Sequence, residues 1–129
     1  MIAIRWKPGD GEPSLCIGDA VHPMLPYLGQ GACMAVEDGC ILAEVLAEQP
    51  GDIVGALRHY EALRIPRTTR VQMGSRERAK FNHLPSRWDR IKRDVKLAEQ
   101  TRFGSGNTMA QNDWIYDYDV PKAASGGGP

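Results

Sequence analysis

The sequence predicts an α/β fragment that is mostly helical in this portion, with one short strand followed by about four helices. Three observations carry that prediction. A brief apolar run, Leu15-Cys16-Ile17, stops at Gly18-Asp19, as a short strand buried inside a parallel sheet does. From about Gln30 the apolar spacing changes to a period near 3.6: Met34, Ile41, Leu42, Val45 and Leu46 recur on one side, with Glu37, Asp38, Glu44 and Glu48 elsewhere. Between the two lies a segment holding Pro23, Pro26, Gly29 and Gly31, which belongs to neither period and reads as a shaped loop.

Size and charge bound what such a fragment can be. A chain of 129 residues with 42% hydrophobic and 25% charged residues has material for one domain with a modest core. Lys plus Arg and Asp plus Glu both number 16, so no overall field favours nucleic acid as a partner. No apolar run reaches the roughly 20 residues of a bilayer span. The start, Met1-Ile2-Ala3-Ile4-Arg5-Trp6, lacks the basic-then-apolar order of a signal peptide. The expectation is a cytoplasmic protein with no membrane partner. Cys16, Cys33 and Cys40 form an odd set with no C-x-x-C and no paired histidine spacing, which fits buried small side chains in a reduced compartment and no metal.

The remaining elements follow in order. Residues 1–14 are a loop and the remnant of a preceding segment, since positions 7–14 (Lys-Pro-Gly-Asp-Gly-Glu-Pro-Ser) are turn formers. The first helix runs from about Gln30 to a stop at Pro50-Gly51. Asp52 is placed to cap a second helix through Ile53, Leu57, Tyr60 and Leu63. Arg64 to Pro66 is expected to break or kink it, because proline removes an amide donor and collides with the preceding turn. A third helix, Arg67 to about Phe81, is dense in arginine; Arg64, Arg67, Arg70, Arg76 and Arg78 read as a solvated face balanced by neighbouring acids. Trp88 to Gln100 forms a fourth, charged helix. Residues 15–101 thus make one unit, 102–120 a C-terminal extension with the aromatic cluster Trp114 to Val120, and 121–129 a Gly-rich disordered tail.

The loop is where chemistry is expected. A strand ending at Gly18 places Asp19 at the carboxyl end of a sheet, where open α/β folds bind ligands. A carboxylate there suits the hydroxyls of a sugar-like chain. Pro23 and Pro26 stiffen the loop, while Gly29 and Gly31 permit torsions and close approaches that a Cβ forbids. The helix that follows offers free N–H groups at Gly31, Ala32 and Cys33, and its dipole favours negative charge. A hydroxyl-rich chain on one side and an electron-rich ring edge on the other describe a flavin; a plain structural turn is the alternative reading of the same residues. His22, beside Pro23, reads as a structural hydrogen-bonding residue rather than an acid or base. Tyr116 and Tyr118 read as packing aromatics, Met34, Ile41 and Leu42 as core, and Glu37 and Asp38 as acids favoured by the helix dipole.

The stretch GDAVHPMLPYLGQGACMAVEDGCILAEVL, Gly18 to Leu46, resembles the second FAD-binding motif of the aromatic-ring flavoprotein monooxygenases, the salicylate hydroxylase and hydroxybenzoate hydroxylase family. RHYEALRIPRTTRVQ (Arg58 to Gln72) and DWIYDYDV (Asp113 to Val120) resemble later stretches of that family, so the likeness covers most of residues 15–120. The resemblance implies that Leu15 to Ile17 is one strand of a parallel FAD-binding sheet and that Gly18-Asp19 holds the ribityl chain. It implies that the loop Pro23 to Gly31, with Pro26, Gly29 and Gln30, lies beside the isoalloxazine ring, and that the amides of Gly31, Ala32 and Cys33 face its N1 and O2. Leu25 and Pro26 would border the aromatic substrate. The whole enzyme would use NAD(P)H, FAD and dioxygen to hydroxylate a salicylate-like or hydroxybenzoate-like ring.

A complete member of that family also needs an N-terminal β-α-β unit with G-x-G-x-x-G and a large sheet roofing the substrate. Gly104-x-Gly106 follows no strand and lacks the third glycine. The expectation is therefore the C-terminal portion of a monooxygenase, carrying half of a flavin site and inactive alone; the alternatives are one half of a split monooxygenase completed by a missing N-terminal chain, and a non-catalytic helical interaction or structural module. The phenol-deprotonating side chain would lie outside this chain.

Overall fold

The computed structural model describes residues 15–102 and 113–124. Five helices occur among them: α1 Gly31–Glu48, α2 Ile53–Asn82, α3 Arg87–Arg102, α4 Asp113–Tyr116 and α5 Val120–Ala124. The expected first helix forms as α1, with the left-handed Gly51 (φ 95°) in the turn that ends it. Asp52 caps α2 as expected: its Oδ1 accepts the Gly55 amide at 2.9 Å, satisfying one of the donors a helix start leaves open. A side chain on Gly55 would collide with that carboxylate. The expected fourth helix forms as α3. The loop expected at 1–14, Gly104 to Asn107 and positions 125–129 of the expected tail lie outside the described residues. The disordered tail expected from 121 is corrected at its start, since Val120–Ala124 is helix α5 and Val120 and Ala123 pack against the core.

Two backbone expectations fare differently: the strand is not seen, and the break in α2 is corrected. No β-strand occurs among the described residues: Ile17 has extended torsions (φ −133°, ψ 166°), but Leu15 to Ile17 has no described strand beside it, and a strand exists only through its ladder. Nor does α2 break at Pro66. The helix runs unbroken for 30 residues with Pro66 inside. Proline there deletes the bond to the Ala62 carbonyl, a defect of about 3 kcal/mol. The helix continues because its side chains are gripped on both sides of the defect: Arg64 and Arg67 are each bound to acids of α1. The buried Thr68 hydroxyl also donates to the Arg64 carbonyl at 2.8 Å.

Helices α1 and α2 form an antiparallel hairpin, since pairing runs from Ile41 and Val45 against Ala56 and Tyr60 near the turn to Glu37 and Asp38 against Arg64 and Arg67 further on. Ile41, Val45, Ala56 and Tyr60 make a fully buried cluster, with Leu15, Leu42, Leu63, Val120 and Ala123 packed around it. Each large apolar side chain so buried contributes about 1.5–3 kcal/mol. The expected core residues Met34 and Ile41 are fully buried and Leu42 partly so, whereas Leu46 is exposed. The three cysteines are free and exposed, not buried as their type suggested. Among the described residues no helix is long and apolar enough to cross a membrane.

Candidate functional site

The site is built on one buried carboxylate. Asp38 is fully buried on α1 and accepts three hydrogen bonds: from the Gly18 amide at 2.8 Å, from His22 Nε2 at 2.6 Å and from Arg64 Nε at 2.8 Å. Burial pushes its carboxyl toward the neutral form, but the bonds from Gly18, His22 and Arg64 outweigh that and hold its pKa below the ordinary carboxylate value. An ionised acceptor fixes the histidine tautomer, because His22 must present Nε2–H to it. His22 Nδ1 is left buried without a partner. The expectation of a structural hydrogen bond for His22 therefore holds.

Arg64 and Arg67 complete the cluster from α2. Arg64 donates Nη1 to Glu37 Oε2 at 2.7 Å and Nη2 to the Met34 carbonyl at 3.3 Å. Arg67 forks around Glu37 (Nη2 to Oε1, 2.9 Å) and reaches the carbonyls of Trp114 and Ile115 at 2.9 and 2.7 Å. Burial alone would lower the Arg64 pKa, yet Glu37 and Asp38 raise it. Burial, then the negative charge of Asp38, pushes the Tyr60 hydroxyl well above its ordinary value. The reading of all five α2 arginines as a solvated face is thus corrected: Arg64 and Arg67 are 2% and 8% exposed, while Arg70, Arg76 and Arg78 remain at the surface. Tyr118 packs as expected, its ring 4.3 Å from the Arg67 guanidinium carbon, and Tyr116 is exposed.

This cluster sets the turn that carries Asp19. Gly18 opens a 3-10 turn, Gly18–Ala20, with φ +63°, a left-handed conformation a Cβ resists, and its amide is pinned to Asp38. Asp19 is left exposed, with no hydrogen bond to its side chain among the described residues. A Cβ built on Gly31 would lie 3.7 Å from Asp19 Oδ1, so the carboxylate stands beside the first turn of α1. That turn has no side-chain cap and no acidic residue, so the amides of Gly31, Ala32 and Cys33 keep their donors; the first intrahelical bond is Met34 N–H to the Gln30 carbonyl, 2.9 Å.

The structure thus brings Gly18, Asp19, Gly31, Ala32 and Cys33 to one place. A second 3-10 turn, Pro26–Leu28, ends at Gly29 with φ 64°, and buried Gln30 donates Nε2 to the Leu28 carbonyl at 3.2 Å. Leu25 and Pro26 are exposed on this loop. Gly29 uses the left-handed torsion expected of it, whereas Gly31 is ordinary helix and Gly18 is the glycine that needs a positive φ. Sequence reasoning missed Asp38, Arg64 and Arg67 as the frame of the site. The one available signal was their coincidence: an acid on the apolar stripe of α1, at the register of Met34 and Ile41, and arginines on the inward side of α2. An exposed carboxylate beside three undressed helix amides, approached by a glycine-bearing loop, fits a ligand that presents hydroxyls to the first and an electron-rich edge to the second.

Comparison with known proteins defines the class. The FAD binding domain family model matches residues 2–75, more than half of the chain, and the chain belongs to that family. Among characterised proteins it is 40% identical over 108 residues to 3-amino-4-hydroxybenzoate 2-monooxygenase of Streptomyces platensis, covering 84% of this chain and 26% of that protein. It is 41% identical over 126 residues to 3-hydroxybenzoate 6-hydroxylase of Klebsiella oxytoca, covering 88% and 30%. It is 33% identical over 107 residues to salicylate hydroxylase of Pseudomonas putida, covering 81% and 23%. The chain therefore spans roughly a quarter to a third of these relatives' length.

Proposed function

We propose that this chain supplies the ribityl and ring side of an FAD site in an aromatic-ring monooxygenase. The single observation behind the reading is the juxtaposition of exposed Asp19 with the uncapped start of α1, in a family that binds FAD. Asp19 would accept hydrogen bonds from ribityl hydroxyls. The amides of Gly31, Ala32 and Cys33 would donate to the electron-rich N1 and O2 edge, and the helix dipole would favour negative charge there without reorganisation. Gly18, Gly29 and Gln30 would shape the loop, and Leu25 and Pro26 would border the aromatic substrate, with Met24 and Leu28 helping to exclude water. FAD would supply the redox chemistry, taking a hydride from NAD(P)H and delivering one oxygen atom of dioxygen to the ring. Residues 15–101 act in this reading as the C-terminal part of the FAD-binding domain, with 102–120 as its extension. Leu15 to Ile17 takes its place as a strand once a neighbouring strand from the N-terminal portion lies beside it.

Flavin titration of the chain tests this, alone and mixed with a protein providing a G-x-G-x-x-G unit. Quenching of flavin fluorescence by the wild type, abolished in Asp19→Ala, is expected. Because the reading places the ring and ribityl chain on these residues, riboflavin should compete with FAD. A chain that quenches neither flavin in either setting, or an Asp19→Ala variant that binds as well as wild type, would sink it.

A further inference from the structure

One face of α2 carries the loop. Gln72 Nε2 donates to the Pro23 carbonyl at 2.8 Å, the fully buried Ser75 hydroxyl donates to the Leu25 carbonyl, and the Tyr27 hydroxyl meets His83 Nε2 at 2.8 Å. Positions 72 and 75 lie on one stripe of α2, and His83 is the residue that ends it. They take hold of three points across residues 23–27, each about 50 residues distant in sequence. Gly74 fits closely beneath the loop: a Cβ there would come within 3.2 Å of Leu28 Cδ1, so that side chain would have to give by a few tenths of an ångström, and would lie in ordinary contact with Trp114 at 3.7 Å. His83 is itself fixed, since its amide bonds the Ala79 carbonyl at 2.9 Å, and α3 sends Arg93 to the Phe81 and Asn82 carbonyls beside it at 3.1 and 3.0 Å.

These bonds have a direction. Gln72 and Ser75 consume the α2-facing carbonyls on the approach to Pro26, and the Tyr27 side chain is drawn to the same helix, so the loop is held by one side. Two carbonyls and a hydroxyl fixed to a rigid helix restrict a stretch that already contains Pro23 and Pro26. Continuity of α2 through Pro66 matters here, because it puts this stripe in fixed register with Arg64, which holds Asp38 and through it Gly18. One helix sets both the turn bearing Asp19 and the loop bearing Pro26.

We infer that Gln72 and Ser75 are positioning residues of the flavin site, fixing the Pro23 to Leu28 loop at the distance from Asp19 and the α1 start that the flavin ring requires. The inference rests on the flavin reading above. Three variants test it: Gln72→Glu, which keeps the shape but removes the donor; Gln72→Lys, which restores a donor; and Ser75→Ala. Two quantities are measured on the 129-residue chain: the initial rate of chymotryptic cleavage after Tyr27, which reads loop release without flavin, and FAD affinity with the shape of the bound flavin's absorption band. Gln72→Glu and Ser75→Ala should each speed cleavage about five- to tenfold, the effect of one lost net hydrogen bond, weaken FAD by a similar factor and alter the band, with Gln72→Lys close to wild type in all three. Unchanged cleavage in both Gln72→Glu and Ser75→Ala would overturn the inference. So would faster cleavage with FAD affinity and band shape untouched, because the bonds would then serve the fold alone. A wild-type chain that binds no FAD either alone or mixed with the G-x-G-x-x-G protein, while the cleavage rates still separate the variants, would overturn the flavin reading and, with it, the role in flavin positioning; the cleavage data distinguish that failure from the others.

Discussion

Helices α2 and α3 are both rich in arginine and meet opposite surroundings. In α2, Arg64 and Arg67 are buried alongside Tyr60, Thr68, Val71 and Ser75, and their guanidinium groups donate to acids and carbonyls of α1 and α4. In α3 no residue is buried, Trp88 is 73% exposed, and the salt bridge made by Arg93 goes to its own neighbour, the exposed Asp94, at 2.7 Å. A guanidinium enters the interior only where a full set of acceptors waits for it. Glu37, Asp38 and the carbonyls of Met34, Trp114 and Ile115 form that set for α2, and α3 faces nothing equivalent among the described residues.

The comparison breaks most visibly at Arg64. Arg64→Met should cost about 3–5 kcal/mol, because it strands the Asp38 charge in the interior; urea denaturation reads this directly, and a loss below about 1 kcal/mol would mean that Asp38 finds compensation elsewhere. Acid probes the same cluster without mutation. The folded-state pKa of Asp38 lies below its ordinary value of 3.8, so the unfolded chain binds the proton more readily. Its stabilisation is complete above the ordinary value and is lost as pH falls through the lower folded one. The urea midpoint of wild type should therefore drop over that acid range by more than that of Asp38→Asn, and parallel pH profiles would contradict the assignment.

Smaller effects sharpen the contrast. Arg67→Lys keeps the charge but cannot span Glu37 and two carbonyls, so a loss of about 1–2 kcal/mol is expected, with faster hydrogen exchange in residues 113–124. The matched change Arg93→Lys should cost less, about 0.5–1 kcal/mol, since it weakens a surface pair and the bonds to the Phe81 and Asn82 carbonyls. Asp94→Ala in α3 should be the least consequential of all, within about 0.5 kcal/mol and further diminished by salt; thermal melts at two ionic strengths check it.

Much of the local structure was legible because it depends on neighbours in sequence. The 3.6 period gave α1 its limits, Asp52 announced a cap, and the Gly18-Asp19 junction and glycine-bearing loop marked the candidate site. Pro66 was misread because the penalty of an internal proline is local, whereas the contacts that outweigh it come from α1. Leu15 to Ile17 was read as a strand from its apolar character, but strand identity belongs to a ladder and so to another segment of chain. Gly31 was credited with a torsion that Gly18 uses instead, since glycine permits a positive φ without demanding one.

By itself, then, the sequence determined the helical character of residues 31–48, 53–82 and 87–102, the choice of Asp19 and the α1 start as the candidate site and, through its resemblance, the family. Only the tertiary structure decided that Asp38 would be the buried centre, that Arg64 and Arg67 would leave the surface to reach it, and that Gln72, Ser75 and His83 would carry a loop some 50 residues away. The physical reason is range: propensity, capping and turn chemistry act within about four residues, whereas the burial of charge is decided by partners that only folding brings within hydrogen-bond distance.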